Sequence, residues 1–191
     1  MEHADVFRLI AGLGNPGRQY VGTRHNVGFL VLDELARRAA GAFQFDAKWK
    51  ADVASCGGRT LMKPQTFMNL SGEAVGSFVR YHRLHPEEVL IVFDDTALPL
   101  GELRMRRSGS SGGHNGLRSV IAHLGTESVP RLRVGIGAAP GSLHNYVLGR
   151  FSEEELPVVH ASVSRAADAI AHVDQHGLDA AMNIYNKKQI L

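Results

Sequence analysis

Apolar and polar positions alternate along the chain in blocks that read as strands and helices in turn. Val6-Phe-Arg-Leu-Ile-Ala-Gly12 is a short, mostly apolar run ending in glycine, as expected for a buried strand feeding a turn. Val89-Leu-Ile-Val-Phe93 is apolar throughout and stops at Asp94-Asp95, the pattern of a central strand covered on both faces. Trp49 to Ser55 and Arg59 to Lys63 flank Gly57-Gly58, a two-residue hairpin signal. Further strands are predicted at about Gly101 to Arg106 and at Arg131 to Ile136. Between them, Leu32, Leu35 and Ala36 recur at helical spacing in a stretch from Asn26 that stops at Gly41. Other helices are predicted from about Gly72 to Arg83 with Ser71 as N-cap, and from Leu117 to Leu124. A capping box at Ser152-Glu-Glu-Glu155 opens a long helix toward His172, and a last helix runs from about Leu178 to Asn186 before Lys187-Lys188.

Alternating strands and helices predict a three-layer α/β fold, and the Gly57-Gly58 hairpin makes its twisted sheet mixed rather than purely parallel. In such sheets ligands bind outside the carboxyl ends of the strands. Asn15, Asp94 and the glycine-rich loop carrying His114 and Asn115 all follow strands, so three distant segments can meet at one cleft.

Composition narrows the function classes. A chain of 191 residues with no composition shift is expected to form a single domain over 1–191, and 44% hydrophobic with 21% charged residues is ordinary for a soluble protein. No apolar run approaches the ~20 residues of a membrane span, and Met1-Glu-His-Ala-Asp5 lacks the features of a leader, so a cytoplasmic protein is expected. One cysteine, Cys56, excludes an internal disulfide and a multi-cysteine zinc site. A formal charge of +2 means that binding to nucleic acid must come from local clusters of arginine and lysine. Arg104/Arg106 and Arg131/Arg133 have strand spacing that places each pair on one face; with Arg107, Arg118, Lys187 and Lys188 they suit a phosphate stripe or a solvated face.

Two familiar motifs compete for the chemistry. Gly12-x-Gly14-x-x-Gly17 fits the dinucleotide-binding pattern, but Pro16, Gly22 and Gly28 interrupt the segment and Asp33-Glu34 fall inside a helix. Gly109-x-Ser111-x-Gly113 fits a nucleophile elbow, but its partners would have to be residues such as Asp168 and His172, which are successive helix positions. Of ten histidines, His25 and His114 stand out by lying in Gly- and Asn-rich segments beside strand ends. His82, His85, His172 and His176 have no such company, and Cys56 reads as a hairpin residue.

Taken together, Gly-Leu-Gly-Asn15-Pro-Gly, Tyr20 with Thr-Arg-His25-Asn, Lys-Pro-Gln-Thr-Phe67-Met68-Asn69-Leu-Ser-Gly, Asp94-Asp95, Ser-Gly-Gly-His114-Asn115-Gly-Leu, Arg-Leu-Arg133-Val-Gly-Ile-Gly and Tyr-Val-Leu-Gly resemble the bacterial peptidyl-tRNA hydrolases, in order over nearly the whole chain. The resemblance implies a metal-independent hydrolase without a cofactor, a monomer acting on the ester between an N-blocked peptide and the tRNA 3′ end to recycle the tRNA. It implies His25 as general base and Asp94 as the carboxylate that orients it, which suits a neutral imidazole of ordinary pKa ~6.5. Asn15 would recognise the blocked peptide, Asn69 and Asn115 would hold substrate or water, Tyr20, Phe67 and Met68 would line the site, and His114 would support it. Arg104, Arg106, Arg107 and Arg133 would contact acceptor-stem phosphates, and the irregular segment Ala138 to Tyr146 would be a mobile gate. Ala97 departs from the family, which commonly has a second aspartate there, so a loop contact is expected to be lost or replaced. A noncatalytic tRNA-binding relative is the alternative that the intact His25 argues against.

Overall fold

The computed structural model describes residues 6–188, and the two most apolar runs lie at the centre of its sheet. The strands are β1 (Leu9–Gly12), β2 (Gln44–Asp46), β3 (Ala51–Cys56), β4 (Arg59–Pro64), β5 (Val89–Asp95), β6 (Leu103–Arg106) and β7 (Arg131–Gly135). They form one sheet in the order β2-β3-β4-β1-β5-β7-β6. β4, β1, β5 and β7 are mutually parallel; antiparallel pairs add β3 and β2 at one side and β6 at the other, the β3–β4 pair being the hairpin at Gly57-Gly58. The helices are α1 (Val27–Arg38), α2 (Ser71–His82), α3 (Asn115–Leu124), α4 (Leu143–Leu148), α5 (Leu156–His176) and α6 (Leu178–Tyr185).

Why β1 and β5 carry no polar face follows from what covers them. Ile10, Leu90 and Val92 point into a core with residues of α1, α5 and α6, whereas Leu9, Ala11, Ile91 and Phe93 point into a second core with α2 and α3. The three-layer α/β arrangement is therefore as predicted. Backbone touches backbone where α1 starts: a Cβ on Gly28 would lie 2.5 Å from the Val92 carbonyl oxygen and 2.7 Å from that of Leu13. A Cβ on Gly12 would in turn meet the Gly28 carbonyl at 2.4 Å. Gly12, the first glycine of the dinucleotide pattern, thus serves strand-to-helix packing against Gly28.

Several boundaries differ from expectation. Ser71 is the first residue of α2 rather than its cap, and its hydroxyl donates back to the Met68 carbonyl (2.8 Å). The Ser152–Glu155 box is formed in both directions, but it closes a turn ahead of α5, which begins at Leu156 and runs on to His176. Trp49 lies in a turn before β3 and packs on Phe78 of α2. β2 and α4 carry too few residues for a periodic pattern, and α4 occupies part of the segment expected to be irregular. At the β6 edge Asn186 both donates to and accepts from the Met105 backbone (3.0 and 2.6 Å), which pairs that edge and leaves Lys187 and Lys188 exposed beside it. Among the described residues no helix is long and apolar enough to cross a membrane. The reading of Met1 to Asp5 lies outside the described residues.

Candidate active site

The junction of β1, β5 and α1 carries most of the site. Val92 is two residues before Asp94, Gly28 is three after His25, and Leu13 is two before Asn15, so one backbone contact gathers all three. His25 sits in a single 3-10 turn, Arg24–Asn26, that leads into α1. Its Nδ1 lies 2.8 and 2.9 Å from the two oxygens of Asp94. From the other side His114 Nε2 lies 3.0 Å from Asp94 Oδ1, while His114 Nδ1 accepts the backbone N–H of Leu117 (3.2 Å) and so caps α3.

These bonds assign the protons. His114 Nδ1 is an acceptor, so its N–H is on Nε2 and is donated to Asp94. His25 donates Nδ1–H to the same carboxylate, which leaves its Nε2 with a lone pair, and the residue lines a cleft. Burial by itself would raise the carboxyl of Asp94, but attraction to His114 and the hydrogen bonds from His114 and then His25 outweigh it and hold it at about 2. It is ionised throughout the neutral range. His25, Asp94 and His114 are the one group among the described residues with spacing that suits a metal ion. Both ring nitrogens that face Asp94 already carry protons donated to it, so an ion there would have to displace both hydrogen bonds.

A lowered carboxyl makes a prediction about acid stability. Because Asp94 is below its unfolded value (~3.9), its stabilisation is complete above that value and is lost as pH falls through about 2. Urea midpoints of the wild type are therefore expected to fall from pH 5 to pH 2, and those of Asp94→Asn to fall less steeply. Parallel curves for the two proteins would contradict the assignment.

The cleft, about 970 Å³, takes its walls from Asn15, Tyr20, the Phe67 to Asn69 turn, the Ser108 to Asn115 loop and α4. Asn15 is buried, and its Oδ1 accepts the backbone N–H of Met68 (2.8 Å). Its acceptor is thus used and its amide N–H₂ is left as the end that a ligand can meet. Asn26 fixes it further, accepting the Asn15 N–H (2.8 Å) and donating to the Asn15 carbonyl (2.9 Å). That role was invisible in the sequence, where Asn26 was only the neighbour of His25. Asn69 and Asn115 are exposed at the rim, and so is Phe67. Met68 reaches the cleft but is buried, its sulfur seated where a Cβ on Gly116 would lie 2.4 Å away.

The elbow reading fails on geometry. Two glycines at positive φ, Gly112 (57°) and Gly113 (85°), separate Ser111 from α3, and both nitrogens of His114 are engaged with Asp94 and Leu117. Asp168 pairs with Arg38 and His172 packs on His176, both on α5. Cys56 is a buried hairpin residue, as expected.

The arginines divide into different tasks. Register places Arg104 opposite Arg133 and Arg106 opposite Arg131, so all four share one face of the sheet. Arg131 is buried rather than part of a stripe, and it donates to the carbonyls of Gly109 (2.7 Å), Ser110 (3.0 Å), Val129 (2.9 Å) and Glu127 (3.0 Å). It braces the loop that delivers His114. Arg133 pairs with Asp95, and Asp95 also accepts the Ala97 N–H (2.7 Å), so the turn with the missing aspartate is held by Asp95. Arg106 and Arg133 line the cleft; Arg104 and Arg107 do not, and Arg107 pairs with Asp179 of α6 (2.9 Å).

Known proteins share this fold over its whole extent. The family model described as peptidyl-tRNA hydrolase matches residues 9–191. A peptidyl-tRNA hydrolase of Akkermansia muciniphila is 46% identical over 181 residues, covering 94% of this chain and 95% of the relative. One of Synechocystis is 47% identical over 190 residues, covering 96% and 97%. The crystal structure of the peptidyl-tRNA hydrolase from Acinetobacter baumannii superposes with a TM-score of 0.91 at 32% identity, covering 99% of each chain. With a matching model that runs from β1 to the last residue, and relatives this similar end to end, the chain belongs to the peptidyl-tRNA hydrolase family.

Proposed function

We propose that this chain hydrolyses the ester joining an N-blocked peptide to the 3′-terminal ribose of tRNA, with His25 as general base. The observation that carries the reading is the His25 Nδ1 bond to the buried, ionised Asp94, which leaves Nε2 to take a proton at the cleft. Water loses a proton to Nε2 as its oxygen bonds to the ester carbonyl carbon. Asp94 stabilises the imidazolium that forms. The tetrahedral intermediate then expels the ribose oxygen, which takes the proton back from His25, so tRNA and a free peptide acid leave and the base is restored. His114 keeps Asp94 in place and takes no proton. Asn69 and Asn115 at the rim hold substrate or water as uncharged amides.

Discrimination follows from which end of Asn15 is available. An N-blocked residue presents an amide carbonyl that the Asn15 N–H₂ group can meet, whereas an unblocked one presents an ammonium with nothing to accept that hydrogen bond. Tyr20, Phe67 and Met68 form the surface beside the peptide and terminal nucleotide. Arg106 and Arg133 contact phosphate at the cleft, with Arg104 and Arg107 adding charge beside it, and the protein works as a monomer in the cytoplasm.

Hydrolysis of blocked against unblocked aminoacyl-tRNA at two salt concentrations tests the reading. The wild type is expected to favour the blocked substrate and to weaken as salt rises, because phosphate contacts release counterions. The isosteric Asn15→Asp, which still accepts the Met68 N–H, is expected to lower the blocked-to-unblocked ratio at least about tenfold. Equal hydrolysis of both substrates by the wild type would overturn the proposal.

A further inference from the structure

The cleft wall α4 has one anchored end and one exposed end. Residues 140–145 are exposed, and they follow Gly137, whose φ of 81° marks a sharp change of direction. The other end, Tyr146 to Gly149, is gathered around one side chain, that of Arg24, the residue next to the base. Its backbone N–H donates to the Gly149 carbonyl (2.9 Å), and Thr23 bridges Arg150 beside it. Its guanidinium carbon lies 4.3 Å from the centre of the Tyr146 ring and 5.4 Å from that of Phe151. Nη2 donates to Glu155 (2.8 Å), whose same oxygen accepts the Ser152 N–H (2.7 Å), and a Cβ on Gly149 would lie 3.1 Å from Nη1. Tyr146 is itself anchored by its hydroxyl on the Ile136 carbonyl at the end of β7 (2.6 Å).

A planar cation against two aromatic rings, with a carboxylate on one nitrogen, is held in direction as well as position. The side chain is 13% exposed and its carboxylate partner 24%, so the pair is shielded from salt more than an ordinary surface pair. None of these contacts reaches the cleft itself. α4, by contrast, supplies Leu143, His144, Val147 and Leu148 to the cleft wall.

We infer that Arg24 is a positioning residue, the pin that fixes the α4 wall of the cleft to the segment bearing His25 and so sets the width of the substrate channel. The inference rests on the proposed reaction for its kinetic consequence but not for its structural one. With the pin in place, the 146–149 end of α4 is fixed to the 23–24 segment, while its exposed 140–145 end has fewer contacts. Without it, the 146–149 end loses its anchor and the wall binds substrate less tightly.

Hydrogen exchange and steady-state kinetics on three full-length variants test this. Arg24→Met keeps the backbone bond to Gly149 and the apolar stem, and is expected to speed amide exchange of residues 143–149 about tenfold. Its KM for N-acetylaminoacyl-tRNA is expected to rise about tenfold with kcat within about twofold, since the loss falls on ground-state and transition-state binding alike. The acid limb of its pH–rate profile should stay put because His25 and Asp94 are untouched. Arg24→Lys is expected to recover part of the KM, as a cation without the planar fork. Glu155→Gln, a milder change that keeps an acceptor for Ser152, should move exchange and KM in the same direction by less. Unchanged exchange at 143–149 in Arg24→Met, or a fall in kcat at unchanged KM, overturns the inference. A wild type without hydrolase activity would instead refute the reaction and leave the exchange result to decide the pin.

Discussion

His25→Ala is expected to lower kcat for N-acetylaminoacyl-tRNA by ~10²–10⁴-fold, the usual range for loss of a positioned general base. In energy this is about 3–5 kcal/mol of transition-state stabilisation. The side chain is 14% exposed and its bonds go to one carboxylate, so its loss opens space in the cleft rather than in either core. Asp94 keeps His114 as a partner, so the variant should fold and bind tRNA as the wild type does. Single-turnover hydrolysis at saturating enzyme separates this chemical loss from binding. Asp94→Asn in the His25→Ala background should cost little more, because the carboxylate assists the reaction through that imidazole and not directly. Wild-type turnover by His25→Ala would remove the base from the mechanism. Ser111→Ala, in contrast, should leave the rate near that of the wild type.

The largest effect on stability is expected at Arg131→Met. Four carbonyls, at Gly109, Ser110, Glu127 and Val129, lose the donors of a buried guanidinium, and methionine replaces only its stem. Burial itself pushes the Arg131 guanidinium below its usual range, with Glu127 opposing this, so the cation has been taken from water for these bonds. Unsatisfied buried acceptors cost about 1–3 kcal/mol each, but loop carbonyls regain water in part, so a net loss of about 3–5 kcal/mol is expected in urea unfolding. Amide exchange in the 108–113 loop should rise with it, and kcat should fall because His114 hangs from that loop. Arg131→Lys should recover little, since one ammonium cannot span four carbonyls. A urea midpoint for Arg131→Met equal to that of the wild type would show that the loop is held by something else.

Strands and helices were legible where burial leaves a period or an unbroken run. β1 and β5 are apolar because both their faces are covered, and α1 and α3 show their buried stripes. The short pieces left no such trace: β2 has an exposed Phe45, and the first half of α4 is exposed. For the site, a strand ending at Asp94 and histidines beside strand ends were enough to raise Asp94, His25 and His114. That both imidazoles share one carboxylate depends on three segments meeting in space, which spacing along a chain does not encode. Arg131 shows the opposite difficulty. Period-two spacing correctly put it on one face with Arg133, but only the loop folded over that face makes it an interior brace instead of a basic surface. Asn26 likewise acts through the backbone of Asn15, eleven residues away, where no pattern of side chains would point.

The contact between Gly28 and Val92 bears on temperature as well as on packing. A contact through side chains can adjust by changing rotamers, whereas at Gly28 and Val92 no side chain lies between the two backbones and the space a Cβ would need is already filled. The segments bearing His25 and Asp94 are spaced by a contact of the second kind. If the proposed reaction holds, His25 and Asp94 should therefore keep their separation as the temperature rises within the folded range.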